Sequence, residues 1–90
     1  MQIAELVWDD WNEDHVAGHG VQPDEVEEAV FDQATLFFRT KGGRYLALGL
    51  TQAGRYLLAV LEPAPRDRAY VVTARDMTDA EKQRFKSRGK

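Results

Sequence analysis

The spacing of apolar residues changes period twice in the first third of the chain. Ile3 to Trp8 is a short apolar run of high β propensity and predicts a strand, which Asp9-Asp10 ends. Trp11, His15, Val16 and His19 then recur at helical spacing, and Asp10 with Glu13 three residues on predicts a capping box at the start of that helix. Gly18 and Gly20 predict its end, because glycine accepts the left-handed turn that closes a helix. Val26, Ala29, Val30 and Gln33 repeat at i, i+3, i+4 and i+7, an amphipathic stripe that predicts a second helix over Pro23 to Asp32. Pro23 suits its first turn, and the acids that follow suit its positive end.

The period then shortens to that of strands. Thr35 to Thr40, Arg44 to Thr51, Arg55 to Glu62 and Arg68 to Arg75 are the predicted strands. Gly42-Gly43 makes the first turn between them, and Pro63 to Asp67 reads as a loop because proline cannot feed a central ladder. On the last strand, strict alternation puts Ala69, Val71, Thr73 and Arg75 on one face and Tyr70, Val72 and Ala74 on the other. Thr78 and Glu81 form a capping box that opens a closing helix to about Arg88. The expected fold is α+β in the order β-α-α-β-β-β-β-α, an antiparallel sheet with helices packed on one face. Residues 1–90 make one domain, without repeat or linker.

Composition narrows the chemistry. The absence of cysteine excludes disulfides, thiolate metal sites and a cysteine nucleophile. The N-terminal residues lack the basic and apolar runs of a signal peptide, and no apolar stretch has the length of a membrane span, so the expected compartment is the cytoplasm. The net charge of −3 conceals a split. Residues 1–38 hold ten acids and no Lys or Arg, whereas residues 39–90 hold twelve basic residues and five acids, giving −10 and +7. One acidic and one basic face are expected, the basic one suited to a polyanion; the two halves attracting each other across the fold is the other reading.

Several segments together resemble the BrnT family of bacterial ribonuclease toxins. They are Trp8-Asp9-Asp10-Trp11-Asn12, His19-Gly20-Val21, the acidic helix from Asp24 to Ala29, Arg44 to Gly49, Gly54 to Val60, and Val71-Val72-Thr73-Ala74-Arg75, with a capped helix at the end. The likeness runs from Trp8 to about Phe85 and rests on the order and spacing of short pieces. It implies a RelE-like fold, a toxin of a type II toxin–antitoxin system, endoribonuclease activity, and neutralisation by an antitoxin carrying a ribbon-helix-helix DNA-binding domain. Two places depart from the family pattern: Gly18 stands where a basic residue usually precedes the His-Gly pair, and Leu61 to Arg66 replaces a Tyr-Thr-x-Arg-like stretch.

Cleaving RNA without a metal or other cofactor needs a base for the 2′-hydroxyl, cations for the developing phosphorane charge, and an acid for the leaving oxygen. Arginine suits the second task through its permanently charged planar fork. Arg75, in the segment matching the family's Ser/Thr-Ala-Arg, is the first catalytic candidate, and Arg44 and Arg55 would complete a cationic ring with it. Each is equally read as an ordinary strand-end arginine in a surface ion pair. Glu62 would act as base or orient an arginine, or is simply solvated. His15 and His19 share a helix face; His19 falls on the family's His-Gly position, and histidine is a residue type suited to acid or base work, while a packed or capping histidine is the plainer reading. No metal-binding pattern accompanies them. Trp8, Trp11, Phe37, Phe38 and the tyrosines are core residues by default, yet Tyr45, Tyr56 and Tyr70 are candidates for stacking RNA bases, with Lys82 of the basic last helix beside them.

The expected function is therefore a metal-independent endoribonuclease toxin whose partners are RNA and a cognate antitoxin. The alternative is a non-catalytic binding module that keeps the toxin fold and a protein-partner surface. The two departures favour that alternative, and the sequence leaves a homodimer open.

Overall fold

The computed structural model describes residues 2–87, so the end of the closing helix predicted at Arg88 lies outside the described residues. The elements are β1 (Glu5–Val7), α1 (Asp10–Ala17), α2 (Pro23–Phe31), β2 (Leu36–Arg39), β3 (Tyr45–Leu50), β4 (Tyr56–Ala64), β5 (Arg68–Asp76) and α3 (Asp79–Lys86). This is the predicted α+β order. The five strands form one sheet in the order β1-β5-β4-β3-β2. All neighbours are antiparallel except β1 and β5, which run parallel with Leu6 opposite Ala69. A hairpin imposes antiparallel pairing only on strands adjacent in sequence, and β1 and β5 are the first and last strands of the sheet in chain order.

The helices pack on both faces of the sheet rather than on one. Ala47, Leu57, Ala59, Leu61 and Val71 meet Val16 of α1 and Val26, Ala29 and Val30 of α2 in the main core. The alternate strand residues Leu48 and Leu58 meet Phe85 of α3 and Met77, which precedes that helix, on the other side. The acidic first third of the chain thus builds the helices of one face, and basic α3 lies on the other. Of the four salt bridges among the described residues, only Glu25–Arg55 joins the two differently charged halves. The charge split is therefore expressed mainly as two faces rather than as internal pairing.

Three local features differ from the pattern. The N-cap of α1 is Asp9, not Asp10, and it exchanges hydrogen bonds with Asn12. Asn12 is fully buried and its amide also donates to the carbonyls of Val7 and Val71, tying α1 to β1 and β5. Secondly, β4 continues through Pro63, which pairs with Ala69. Past Leu61, β4 has lost β3 as a neighbour, so proline's missing N–H faces an open edge. Thirdly, Val60 pairs with Thr73 but Leu61 pairs with Val71, leaving Val72 as the extra residue of a β-bulge. Alternation along β5 is broken there. Ala69, Val71 and Ala74 all join the main core, while Thr73 and Arg75 pair with Val60 and Leu58 on the α3 face.

Contact between α2 and the sheet is closest at Gly49 of β3, where a Cβ would run into the backbone of Ala29. Only glycine lets the helix approach this near.

Candidate functional site

The five catalytic candidates fall into three places. Arg44 and Arg55 precede successive antiparallel strands and so lie at opposite ends of the β3–β4 hairpin, roughly 20 Å apart at about 3.3 Å per residue. Arg75 lies near the Arg55 end but, because of the bulge, on the opposite face. The predicted cationic ring does not form.

Arg44 lies 3.7 Å from Glu62, and both side chains are about half exposed. Arg75 forms a two-pronged ion pair with Glu81 at 2.8 and 3.0 Å and also donates to the carbonyl of Asp76. Glu81 is at the same time the capping-box residue of α3, accepting from the Thr78 N–H at 2.8 Å. Hydrogen bonding to Glu81 raises the pKa of Arg75, and hydrogen bonding to Arg75 holds Glu81 below the usual carboxylate range. The pair clamps α3 to β5, and a phosphate at Arg75 would have to displace Glu81.

The third place is the corner where α1 ends, α2 begins and β4 starts. Gly20 takes a positive φ of 73° in the turn after α1, and its carbonyl accepts from Arg55 Nη1 at 2.8 Å. Gly18, by contrast, ends the helix in ordinary right-handed geometry. The same Nη1 donates to Glu25 at 3.1 Å, while Nε and Nη2 donate to the two carboxylate oxygens of Asp76 at 2.8 and 3.2 Å. Four of the five guanidinium N–H groups are thus engaged, leaving one on Nη2 for a further acceptor. The Asp76 hydrogen bonds raise the pKa of Arg55, and Arg55 in turn lowers that of Asp76. His19, adjacent to Gly20, is brought to this corner from 36 residues before Arg55 in the sequence.

His19 also ends a row of rings along α1. Trp11 stacks on His15 with centroids 4.9 Å apart and planes at 8°, and His15 meets His19 edge-on at 5.3 Å. Trp11 is 58% exposed, which corrects its expected place in the core.

The other RNA-contact candidates are dispersed. Tyr70 donates to both carboxylate oxygens of Asp9, fastening the start of α1, and its pKa is raised by partial desolvation first and by Asp9 second. Tyr45 packs against the main core beneath Arg39. Tyr56 lies on the α3 face, edge-on to Phe85, with Lys82 and Lys86 over its ring at 5.7 and 5.4 Å. Among the described residues no three His, Cys, Asp or Glu side chains are grouped to hold a metal ion, and no helix is long and apolar enough to cross a membrane.

No protein-family model matches the chain, and no curated protein sequence matches it. Among solved structures, the 1.1 Å crystal structure of the ribonuclease toxin BrnT from Brucella abortus aligns with a TM-score of 0.66, covering 83% of this chain and 97% of that one at 19% identity. The chain has the BrnT fold. The fold implied by the short sequence segments is the fold found.

Within this BrnT fold, sequence reasoning missed Glu25 and Asp76, the two carboxylates that hold Arg55. Glu25 carried a signal, since it sits three residues after Gln22 and accepts that residue's N–H at 3.0 Å in a helix-opening position. Asp76 carried none, because its alignment with Arg55 depends on the bulge.

Proposed function

We propose that the chain is the toxin component of a type II toxin–antitoxin pair, a cytoplasmic, metal-independent endoribonuclease whose centre is the His19–Arg55 corner. The observation that carries this reading is that Arg55, distant in sequence, donates to the carbonyl of Gly20, the residue after His19, whose ring ends an exposed row of rings. In the reaction, the RNA 2′-hydroxyl attacks the adjacent phosphorus as its proton passes to a base, and the 5′-oxygen leaves with a proton, giving a 2′,3′-cyclic phosphate. His19 is assigned as the base that takes the 2′-hydroxyl proton, solvent water gives a proton to the leaving 5′-oxygen, and the free Nη2 hydrogen of Arg55 is assigned to the developing phosphorane charge. Trp11 and His15 offer ring faces on which unpaired bases stack. The likeness to a ribonuclease toxin supports this reading through the fold alone.

The second reading, a non-catalytic module with the toxin fold, is favoured by a specific observation. Arg44, Arg55 and Arg75 each face a carboxylate already. Incubating the purified protein with single-stranded RNA in EDTA separates the two. The nuclease reading expects cleavage, reduced about 100-fold or more by His19→Ala and by Arg55→Lys, and little changed by Arg44→Ala or Glu62→Ala. Intact RNA with the wild-type protein, together with normal growth of cells expressing it alone, establishes the second reading.

A further inference from the structure

The row of rings on α1 ends in two histidines whose nitrogens the fold leaves unused. His15 lies in the last turn of α1 and His19 two residues past its end at Ala17, and both are exposed. Trp11 covers one face of His15 at 4.9 Å with planes at 8°, which steadies that ring and leaves the nitrogens on its edge free. Among the described residues the contacts of the two imidazoles are ring contacts, without a hydrogen bond or an ion pair.

The spacing of the two rings is that of a chelate. A zinc ion bonds an imidazole nitrogen at about 2.0–2.1 Å, which puts the ion about 3.2 Å from the ring centroid. Two imidazoles at the tetrahedral angle then have centroids about 5.2 Å apart. The His15 and His19 centroids are 5.3 Å apart, with planes at 73°. Coordination fixes the distance and the angle at the metal but not the rotation of each ring about its metal–nitrogen bond, so that inclination is no obstacle. His19, on which no ring stacks face to face, turns about its Cβ–Cγ bond with its centroid nearly in place.

The surroundings favour a cation. Residues 1–38 hold ten acids and no Lys or Arg, and the carbonyl end of α1 brings its partial negative charge here. Arg55, the positive group at this corner, is offset by Glu25 and Asp76. Imidazole ligands select a borderline ion such as Zn2+ over Mg2+ and Ca2+, which prefer oxygen. Among the described residues no third His, Cys, Asp or Glu completes a set, so water fills the remaining positions and the ion stays exchangeable.

We propose that His15 and His19 together form a two-histidine site for Zn2+, and that the bound ion switches off the ribonuclease centre. A neutral imidazole has one nitrogen lone pair to give, since its other nitrogen carries hydrogen. Zinc on His19 takes the lone pair that would receive the 2′-hydroxyl proton. The site stands on the two rings themselves, whereas the inhibition rests on the ribonuclease reading.

Calorimetric titration of the untagged protein with zinc chloride, in a buffer that does not bind metal, tests the site. One ion per chain is expected at micromolar affinity, weakened about tenfold or more by His15→Ala and by His19→Ala alike, with backbone amide shifts confined to α1 and the turn after it. Both side chains are exposed, and an unchanged amide spectrum elsewhere verifies that the variants keep the fold. No binding, full affinity in either variant, one ion shared by two chains, or equal binding of magnesium chloride would each overturn the site. Inhibition is read on RNA cleavage. Zinc stops the wild-type protein over the concentrations at which it binds, EDTA restores the rate, and His15→Ala, set against its own metal-free rate, needs about tenfold more zinc. Equal zinc sensitivity of that variant overturns the inhibition. A wild-type protein that binds zinc yet cleaves no RNA removes the ribonuclease reading and the inhibition with it, while the calorimetry still decides the site.

Discussion

The α1–α2 side and the α3 side of this sheet solve the same problem with different completeness. On the first, the helices approach closely enough to require Gly49 beneath Ala29, and a buried Asn12 ties α1 to two strands. Acidic residues occupy its outer surface. On the second, one short basic helix is held by a clamp at its start and by Phe85, and an apolar groove stays open beside it. Stability is concentrated on the first side and available surface on the second.

The sharpest way to break this contrast is Gly49→Ala. The added methyl has backbone on top of it, so α2 must move, and a loss of about 3 kcal/mol in denaturant unfolding is expected. A loss under about 1 kcal/mol would mean that the two sides are packed alike. Next comes Asn12→Ala, which leaves the Val7 and Val71 carbonyls without their donor in a buried place; about 2–3 kcal/mol is expected from the same measurement. On the other side, Arg75→Gln removes the α3 clamp at a cost of about 1 kcal/mol, because the pair is partly exposed. RNA cleavage is expected to persist in that variant, and its abolition would return Arg75 to the catalytic centre. Arg44→Ala, at a half-exposed pair, should change stability by less than about 0.5 kcal/mol.

Acid probes the same contrast. The pKa values of Asp76 and Glu81 are lowered by their arginines in the folded protein. Their contributions are complete above the ordinary carboxylate range and disappear as pH falls through the depressed values. Stability measured across that range should fall with pH, and Arg75→Gln should flatten the part due to Glu81.

Much of the fold was legible because each element declares its own period. The stripe at Val26, Ala29 and Val30 gave α2, and Thr78 with Glu81 gave the start of α3. What escaped depends on neighbours that periodicity does not name. Pro63 was read as breaking β4, yet the strand passes through it because β3 has already ended. Trp11, a core residue by default as an aromatic, lies outside, because the buried positions of α1 are Asn12 and Val16. The separation of Arg44 from Arg55 was within reach of the sequence, since consecutive antiparallel strands begin at opposite ends. The separation of Arg75 was not, because nothing in Val71-Val72-Thr73 marks which residue stands out of register.

Val72 has a consequence for how relatives of this chain are matched to it. A homologue of the same length whose β5 ran in unbroken register from Val71 would present the arginine corresponding to Arg75 opposite Leu57, on the α2 face next to Arg55, while its sequence still read Thr-Ala-Arg. Motif identity there does not carry spatial identity. Transferring a role along this strand requires first establishing whether a residue bulges out of the ladder, since that decides on which side of the molecule its last positive charge emerges.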